Sequence, residues 1–166
     1  MTQQHFEQQG IFHVTTNAKQ KIPWLTWTGV PEILINNLWM TRNLYHAEVY
    51  AFCILPDHMH VVLRPGEKGL SRFIQSFKSH SMKDINMLRP PVAESRDSPL
   101  QADPISFPLS WQKGFHDEKI ETDDQRENVL AYVRCNAWRH GLVNNPNDWS
   151  WSSVHFSRMI DPVEIW

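Results

Sequence analysis

The sequence predicts an α+β protein in which helices pack on an antiparallel sheet, the ferredoxin-like arrangement. Short β-branched or apolar runs alternate with longer amphipathic runs in the order β-α-β-β-α-β-α, which is the split βαβ theme. A tight turn joins the two middle strands, as in antiparallel hairpins. The chain has 166 residues, including eight tryptophans and eight phenylalanines, which is enough for one well-buried domain over residues 1–166 and too few to expect two.

The first half of the chain predicts a strand, a helix and a hairpin. Residues 10–16 are rich in β-branched and aromatic side chains, which favour a strand. Residues 31–42 begin with a proline and space their apolar side chains helically. Residues 47–55 are almost continuously apolar, which predicts a central strand covered on both faces. Pro56-Asp57 then turn the chain into a strand over 58–63.

The second half predicts two helices separated by irregular chain. Residues 69–88 carry an apolar stripe at helical spacing. Residues 89–110 contain five prolines and predict a long loop of the kind that is often functional, and residues 110–120 predict an irregular strand pair. Thr122, with Gln125 three residues later, predicts a capped helix that runs to Gly141. No role is readable in residues 161–166.

Composition favours a cytoplasmic protein without a membrane partner. No apolar run is long enough to span a bilayer, and the first residues lack a signal sequence. Cys53 and Cys135 form no CxxC motif and are expected to be free thiols in a reducing compartment. The net charge of −2 does not by itself indicate nucleic-acid binding. Residues 64–89, however, hold six basic residues against two acids, which predicts a local basic surface.

Two histidines stand out because they lie two residues apart on a predicted strand. His58 and His60 therefore project from one face, whereas Met59 points into the core on the other. Two imidazoles at this spacing can hold a metal ion without closing its coordination sphere. His46, His80 and His116 are further ligand candidates by composition alone, and the pair could also be incidental among nine histidines. These residues by themselves leave a metal site open.

A tyrosine and an asparagine share one face of the last predicted helix. Tyr132 and Asn136 are four residues apart, so their side chains are neighbours. A phenol with a pKa of about 10 needs a base or a cation to act as a nucleophile at neutral pH. The residues alone leave open whether Tyr132 packs in the core or does chemistry.

Four segments, in this order along the chain, resemble one known family. Residues 54–62 resemble the HUH motif, two histidines around a hydrophobic residue, of single-tyrosine transposases, and most closely of REP-associated tyrosine transposases. Residues 111–117 resemble the family's tryptophan-glutamine-x-glycine-phenylalanine stretch, residues 132–143 its tyrosine helix, and residues 148–153 its C-terminal tryptophan-serine signature. The resemblance spans most of the chain, from about Phe12 to Ser153.

The resemblance implies a fold, a site and a reaction. The fold would be that of the HUH endonucleases, a ferredoxin-like or RRM-like antiparallel sheet. His58, His60 and Asn136 would bind Mg²⁺ or Mn²⁺, and Tyr132 would be the nucleophile. The implied activity is that of a metal-dependent nickase and strand transferase, a transposase that cuts and rejoins single-stranded DNA at hairpin (REP-like) sequences through a 5′-phosphotyrosine.

One departure from the family pattern bears on the site. Ala137 follows Asn136 where relatives usually have proline, which predicts a tyrosine helix that continues without a bend. Two alternatives therefore stay open. One is a catalytically decayed protein that binds DNA hairpins, and the other is a Zn-dependent hydrolase with a third histidine or carboxylate ligand.

The implied partner is a single-stranded DNA hairpin. The basic run between the second hairpin strand and the following helix is the predicted phosphate-binding surface. Its candidate DNA-binding residues are Arg64, Arg72, Lys78 and Lys83. Short family members are often monomeric, so we expect a monomer, with a homodimer as the alternative.

Overall fold

A computed structural model describes residues 9–88 and 109–163, and its elements follow the predicted order. They are β1 (Ile11–Asn17), α1 (Val30–Tyr45), β2 (Glu48–Ile54), β3 (His58–Arg64), α2 (Leu70–Leu88), β4 (His116–Ile120), α3 (Asp123–Arg134) and α4 (Asn136–Arg139). Most of the predicted proline-rich loop, residues 89–108, lies outside the described residues. Within the described ranges, no helix has the length and apolar character needed to cross a membrane.

The strands form one antiparallel sheet in the order β2-β3-β1-β4. This order confirms the predicted ferredoxin-like α+β fold. The prediction of an irregular strand pair over residues 110–120 is wrong in its pairing. Trp111 makes a single bridge to Ala18, and β4 pairs with β1. Both parts of the segment therefore run along the same strand and do not pair with each other.

Alternation along the strands divides the buried apolar side chains between two faces of the sheet. Helices α1 and α2 pack on one face against Phe12, Met59 and Val61, so Met59 points into this core as predicted. Helix α3 packs on the other face against Val62 and Ile120. His58 and His60 follow the alternation of Val62 and therefore face α3.

β2 corrects the prediction of a central strand, because it lies at the edge of the sheet. Its side chains are nevertheless buried on both faces, since the C-terminal segment covers its free edge. The Ile54 N–H donates to Trp151 O at 3.0 Å, and the Asp161 N–H donates to Val49 O at 2.7 Å. Trp149 Nε1 adds a hydrogen bond of 2.8 Å to Ile54 O. Residues 149–161 thus supply the partners that a fifth strand would give.

Asp161, for which the sequence indicates no role, anchors this segment to the fold. Its carboxylate accepts hydrogen bonds from Arg42 Nε at 2.7 Å, from Arg42 Nη2, and from the Val49 N–H at 2.8 Å. Burial alone would raise the pKa of Asp161, but the hydrogen bonds from Arg42 and Val49 outweigh it and hold this pKa below its ordinary value. The folded state therefore favours the ionised carboxylate.

Replacing Asp161 with asparagine should weaken the fold in a pH-dependent way. We expect the free energy of unfolding to fall by about 1.5–3 kcal/mol at pH 7, because a charged acceptor is lost from a half-buried network. A carboxyl whose pKa is lowered on folding stabilises the protein above its unfolded pKa, and this contribution is lost as the pH falls below about 4. Urea unfolding of Asp161→Asn and of the exposed control Asp148→Asn measures both effects. Equal losses in the two variants would contradict the anchor.

Candidate active site

The two central strands hold the histidine pair on the face that α3 covers. β3 lies between β2 and β1, and its register with β1 sets Thr15 opposite His60 and Asn17 opposite His58. The ring centroids of the two histidines are 5.0 Å apart. The sequence-based prediction that the two side chains project together is therefore confirmed.

The His60 ring is oriented by two polar groups of β1. Its Nδ1 lies 3.0 Å from Thr15 Oγ1 and 3.0 Å from His13 Nε2. These contacts fit the tautomer in which Nδ1 carries the proton, which leaves a lone pair on Nε2. His60 Nε2 is buried and has no hydrogen-bond partner among the described residues. Burial, with smaller contributions from nearby cations and histidines, lowers the pKa of His60 to about 2, so the ring is neutral at pH 7.

His58 is oriented in the same way by its neighbour in the hairpin turn. Its Nδ1–H donates to Asp57 Oδ1 at 2.6 Å, so Nε2 again carries the lone pair. Burial lowers the pKa of His58 although Asp57 acts in the opposite direction. Both imidazoles are therefore neutral and have an Nε2 lone pair available to a ligand.

Tyr132 lies against this pair. Its ring centroid is 5.5 Å from that of His60 and 5.8 Å from that of His13, with edge-to-face geometry. The guanidinium carbon of Arg139 stands 5.1 Å from the centre of the Tyr132 ring. The tyrosine also lines a cavity of about 670 Å³, whose other lining residues include His60 from β3, Glu118 from β4 and Gln125 from α3. The phenol is thus beside a cation, next to neutral imidazoles and accessible from a cavity.

Asn136 lies on a helix that breaks where the sequence predicts continuity. α3 ends at Arg134, Cys135 has φ −95° and ψ 6°, and α4 begins at Asn136. The prediction of an unbent helix from Thr122 to Gly141 is therefore wrong, and the break does not require the proline that relatives have after the asparagine. The Cys135 N–H keeps a hydrogen bond to Ala131 O at 3.0 Å, so the chain changes direction without losing this main-chain bond.

The Asn136 amide is a buried polar group without partners. Its exposed fraction is 0%, and neither Oδ1 nor Nδ2 makes a hydrogen bond within the described residues. Such a group costs about 1–3 kcal/mol when nothing satisfies it. Asn136 Oδ1 and His60 Nε2 are thus both buried atoms with lone pairs that no hydrogen bond in the described residues engages, and both atom types are ligands of divalent cations.

The other histidines do not complete a ligand set. His46 ends α1, His80 lies on α2 and contacts Ser76 at 3.2 Å, and His116 lines the cavity beside Tyr132. Across residues 9–88 and 109–163, no group of three His, Cys, Asp or Glu side chains is placed to hold a metal ion. His140 also lies beside the pair, with its ring centroid 5.3 Å from that of His58, and an amide oxygen is a further type of group that can serve as a third protein ligand.

The residues predicted to bind DNA are spread away from Tyr132. Arg72, Lys78 and Lys83 lie on α2, which packs on the opposite face of the sheet. Lys78 Nζ donates to Gln112 O at 2.9 Å and to Gly114 O, so it holds the loop before β4. Arg64 is six residues from His58 along β3 and pairs with Glu48 at 2.6 Å. The role of these four residues in DNA binding stays a prediction.

Several residues around the site were not among the predicted site residues. His13 and Thr15 contact His60, and their signal is the alternation of polar side chains along β1. Asp57 belongs to the turn before the pair. Arg139 is seven residues after Tyr132, a spacing that returns to the same helix face. This last signal is readable in the sequence but is weak in a helix that breaks.

Solved structures share this fold. The structure of a REP-associated tyrosine transposase bound to a REP hairpin superposes with a TM-score of 0.72 at 19% identity, over 100% of this chain and 90% of that one. A Deinococcus radiodurans protein described as a transposase superposes with a TM-score of 0.51 at 15% identity, over 80% of this chain and 95% of that one. The predicted HUH endonuclease fold is thereby confirmed.

Sequence comparison gives the family. A Haemophilus influenzae protein that carries the name of a REP-associated tyrosine transposase is 28% identical over 121 residues, which are 69% of this chain and 63% of that protein. The chain thus spans less than two thirds of this relative's length. The family described as "Transposase IS200 like" matches residues 7–136, and the chain belongs to this family.

Lys78 gives a test of its structural role. We expect Lys78→Gln to lower the free energy of unfolding by about 1.5–3 kcal/mol, because two main-chain carbonyls lose a charged donor. Lys83→Gln, on the exposed side of the same helix, should change it by less than about 0.5 kcal/mol. Thermal or urea unfolding of both variants decides this. Equal stability of the two variants would mean that Lys78, like Lys83, does not stabilise the fold.

Proposed function

We propose that this chain cuts and rejoins single-stranded DNA, with Tyr132 as the nucleophile. The observation that supports this most directly is the contact of Tyr132 with His60 and Arg139 at one edge of an open cavity. A tyrosine that only packed in the core would have no need of neutral imidazoles and a cation. Membership of the IS200-like transposase family supports the same reaction.

The chemistry is an exchange of one phosphoester for another. Tyr132 Oη attacks the phosphorus in line, the Oη–P bond forms, and the bond between phosphorus and the 3′ oxygen breaks. The phenol proton is balanced by the proton that the departing 3′ oxygen takes up. The products are a 5′-phosphotyrosine and a free 3′-OH. A 3′-OH can attack the phosphotyrosine in the reverse sense, so strands are rejoined without another energy source.

His58, His60 and Asn136 are the residues that would hold a divalent metal ion. The imidazoles are neutral, their Nδ1 atoms are engaged by Asp57, Thr15 and His13, and the amide is buried without a partner. When bound, Mg²⁺ or Mn²⁺ would supply Lewis-acid stabilisation of charge on the phosphoryl oxygens. The protein's own part is to fix the ring orientations in advance, which reduces the cost of ordering the site.

The proposed substrate is a single strand that carries a hairpin. A relative of the same fold was solved with a REP hairpin. In such a strand, the base-paired foot of the hairpin and the unpaired flank next to it would together hold the unpaired strand at Tyr132. Residues Arg64, Arg72, Lys78 and Lys83 remain candidates for contacts with the hairpin stem, because a stem can reach beyond the face that holds the site. We expect the chain to act as a monomer, with a homodimer as the alternative.

The structure bears on the two alternative functions, the decayed hairpin-binding protein and the Zn-dependent hydrolase, in different ways. The decayed hairpin-binding protein drew on the expected unbent helix, and the observed break at Cys135 removes that particular argument. A Zn-dependent hydrolase would need a third histidine or carboxylate, and no such group of three is present in the described part of the chain. Neither alternative gains a supporting observation.

Tyr132→Phe tests the nucleophile. The protein is incubated with Mn²⁺ and end-labelled single strands that carry a hairpin with randomised flanks, and a covalent adduct is detected on denaturing gels. We expect the adduct with the natural chain and with Tyr45→Phe, whose ring packs against Phe73 in the other core. No adduct is expected with Tyr132→Phe, because the attacking oxygen is missing.

The outcomes of this experiment separate the three readings. An adduct with Tyr132→Phe would sink the proposed mechanism. Tight hairpin binding by the natural chain without any adduct would favour the decayed binding protein. Hydrolysed products together with bound Zn²⁺ would favour the hydrolase.

Asn136→Leu tests the buried amide without relying on activity. Leucine has a similar volume and leaves no polar atom unsatisfied, so the metal-free variant should be more stable than the natural chain by about 1–3 kcal/mol. Added Mn²⁺ should raise the stability of the natural chain and not that of the variant, because a ligand that binds only the folded state stabilises it. Asn128→Leu, at an exposed position of α3, is the control for the change of residue type. A destabilised Asn136→Leu would mean that the amide already has a partner.

A further inference from the structure

The cations nearest to the candidate active site are not those of the basic run. Lys21 Nζ lies 3.8 Å from Asp57 Oδ2, the carboxylate that orients His58, and it remains 60% exposed. Arg139 stands over the Tyr132 ring. One cation thus comes from the chain after β1 and the other from α4. A chain of contacts from Lys21 through Asp57, the histidine pair and Tyr132 to Arg139 links the two.

The backbone at Lys21 is held in a conformation that non-glycine residues rarely adopt. Gln20 and Lys21 have φ values of 57° and 58°, both in the left-handed region. Such a conformation is unfavourable for a residue with a Cβ and persists only where the surrounding structure determines it. The Ala18 N–H donates to Asp57 O at 2.8 Å, and Lys21 Nζ donates to Asn17 Oδ1 at 2.6 Å. The strained turn is therefore tied to the hairpin that carries His58.

Arg139 is free to use its guanidinium for a ligand. Some other arginines of the described ranges pair with carboxylates, as Arg42 does with Asp161 and Arg64 with Glu48. In the same ranges, no ion pair is found for Arg139, and the residue is exposed. Its planar fork of donors matches the geometry of two phosphate oxygens, and a cation over a tyrosine ring is already in a favourable place.

The charges of the acidic groups around the site differ from one side of it to the other. Asp57 accepts a hydrogen bond from the neutral His58 ring, and the charge of Lys21, 3.8 Å away, partly compensates its own. Glu118 lies on the β4 side, where it acts on His13. A phosphate chain would therefore meet cations at Lys21 and Arg139, on either side of the histidine pair and Tyr132, and a carboxylate on the β4 side.

We propose that Lys21 and Arg139 bind the phosphates on either side of the phosphate that Tyr132 attacks, and so form a two-point clamp on the strand. This rests on the proposed function for the identity of the strand, although the clamp itself would recognise any single-stranded phosphodiester. It also places the phosphate contacts at the active site on the α3 face of the sheet. The cations of α2 lie on the other face and would have to reach a different part of the DNA.

The salt dependence of binding tests the clamp independently of cleavage. The probe is a fluorescein-labelled oligothymidylate of about 20 nucleotides, longer than typical single-strand sites. Its affinity is measured by fluorescence anisotropy in EDTA over a series of sodium chloride concentrations. Each phosphate contact on a single strand contributes about 0.7 to the slope of log K against log salt. Lys21→Gln and Arg139→Gln should each reduce the slope by about 0.7, and the double variant by about 1.4.

Matched controls identify a contact rather than a general effect of charge. Arg158→Gln removes an exposed arginine whose neighbours Phe156 and Met159 pack with the core of the α1 and α2 face. Lys83→Gln removes an exposed lysine of α2, whose candidate contact is with a hairpin stem that the unpaired oligothymidylate lacks. Neither should alter the slope. Lys21→Arg and Arg139→Lys should restore it, because each keeps the positive charge, and circular dichroism checks that every variant is folded.

The clamp and the proposed cleavage can fail separately. Unchanged slopes in folded Lys21→Gln and Arg139→Gln would overturn the clamp, even if the natural chain forms the tyrosine adduct. Reduced slopes restricted to these two positions would support the clamp, even if no adduct forms and the proposed reaction is wrong. A loss of slope in Lys83→Gln instead would assign the phosphate contact to α2 and would also overturn the clamp.

Discussion

The pairing register between β1 and β3 is the constraint on which the site depends. It sets Thr15 beside His60, and it sends Met59 to the core on the other face of the sheet. A slip of one residue would exchange the faces, so that the imidazoles would enter the apolar core and Met59 would face Tyr132. Burial of Phe12 and Val14 from β1 opposes such a slip. The hydrophobic core thus fixes the chemistry-bearing face.

The second constraint is the free-energy cost of burying polar atoms that have no hydrogen-bond partner. His60 Nε2 and both polar atoms of Asn136 are buried without partners in the described part of the chain. A fold optimised for stability alone would fill these positions with apolar side chains. Asn136 is fully buried at the start of α4, whereas Arg139 at its end is exposed and stands over Tyr132.

Much of the fold and the centre of the site could be predicted because they depend on local patterns. Strand alternation located the histidine pair, and the capping box at Thr122 located α3, where Thr122 accepts a hydrogen bond from the Gln125 N–H. The family motifs then connected His58 and Tyr132, which are far apart in sequence. The family could be predicted for the same reason, because its motifs are short segments that occur in a fixed order along the chain.

The parts that escaped prediction depend on contacts between distant segments. The edge position of β2 was missed because its apolar sequence is that of a strand covered on both faces, and the cover comes from residues about a hundred positions later. Lys78 looks like a free cation in the sequence, and only the folded loop shows the carbonyls that it binds. Lys21 and Arg139 lie outside the basic run, so a count of charges along the chain does not single them out.

The C-terminal segment along β2 has a consequence for how the protein meets other chains. An open sheet edge with free N–H and carbonyl groups invites pairing with another polypeptide. Residues 149–161 occupy that edge at β2, and the opposite edge, β4, is only five residues long and carries His116, Asp117, Glu118 and Lys119. Short, charged edge strands discourage such pairing. Self-association by continuation of the sheet is therefore disfavoured at both ends, and loss of residues 149–161 would expose β2 to aggregation.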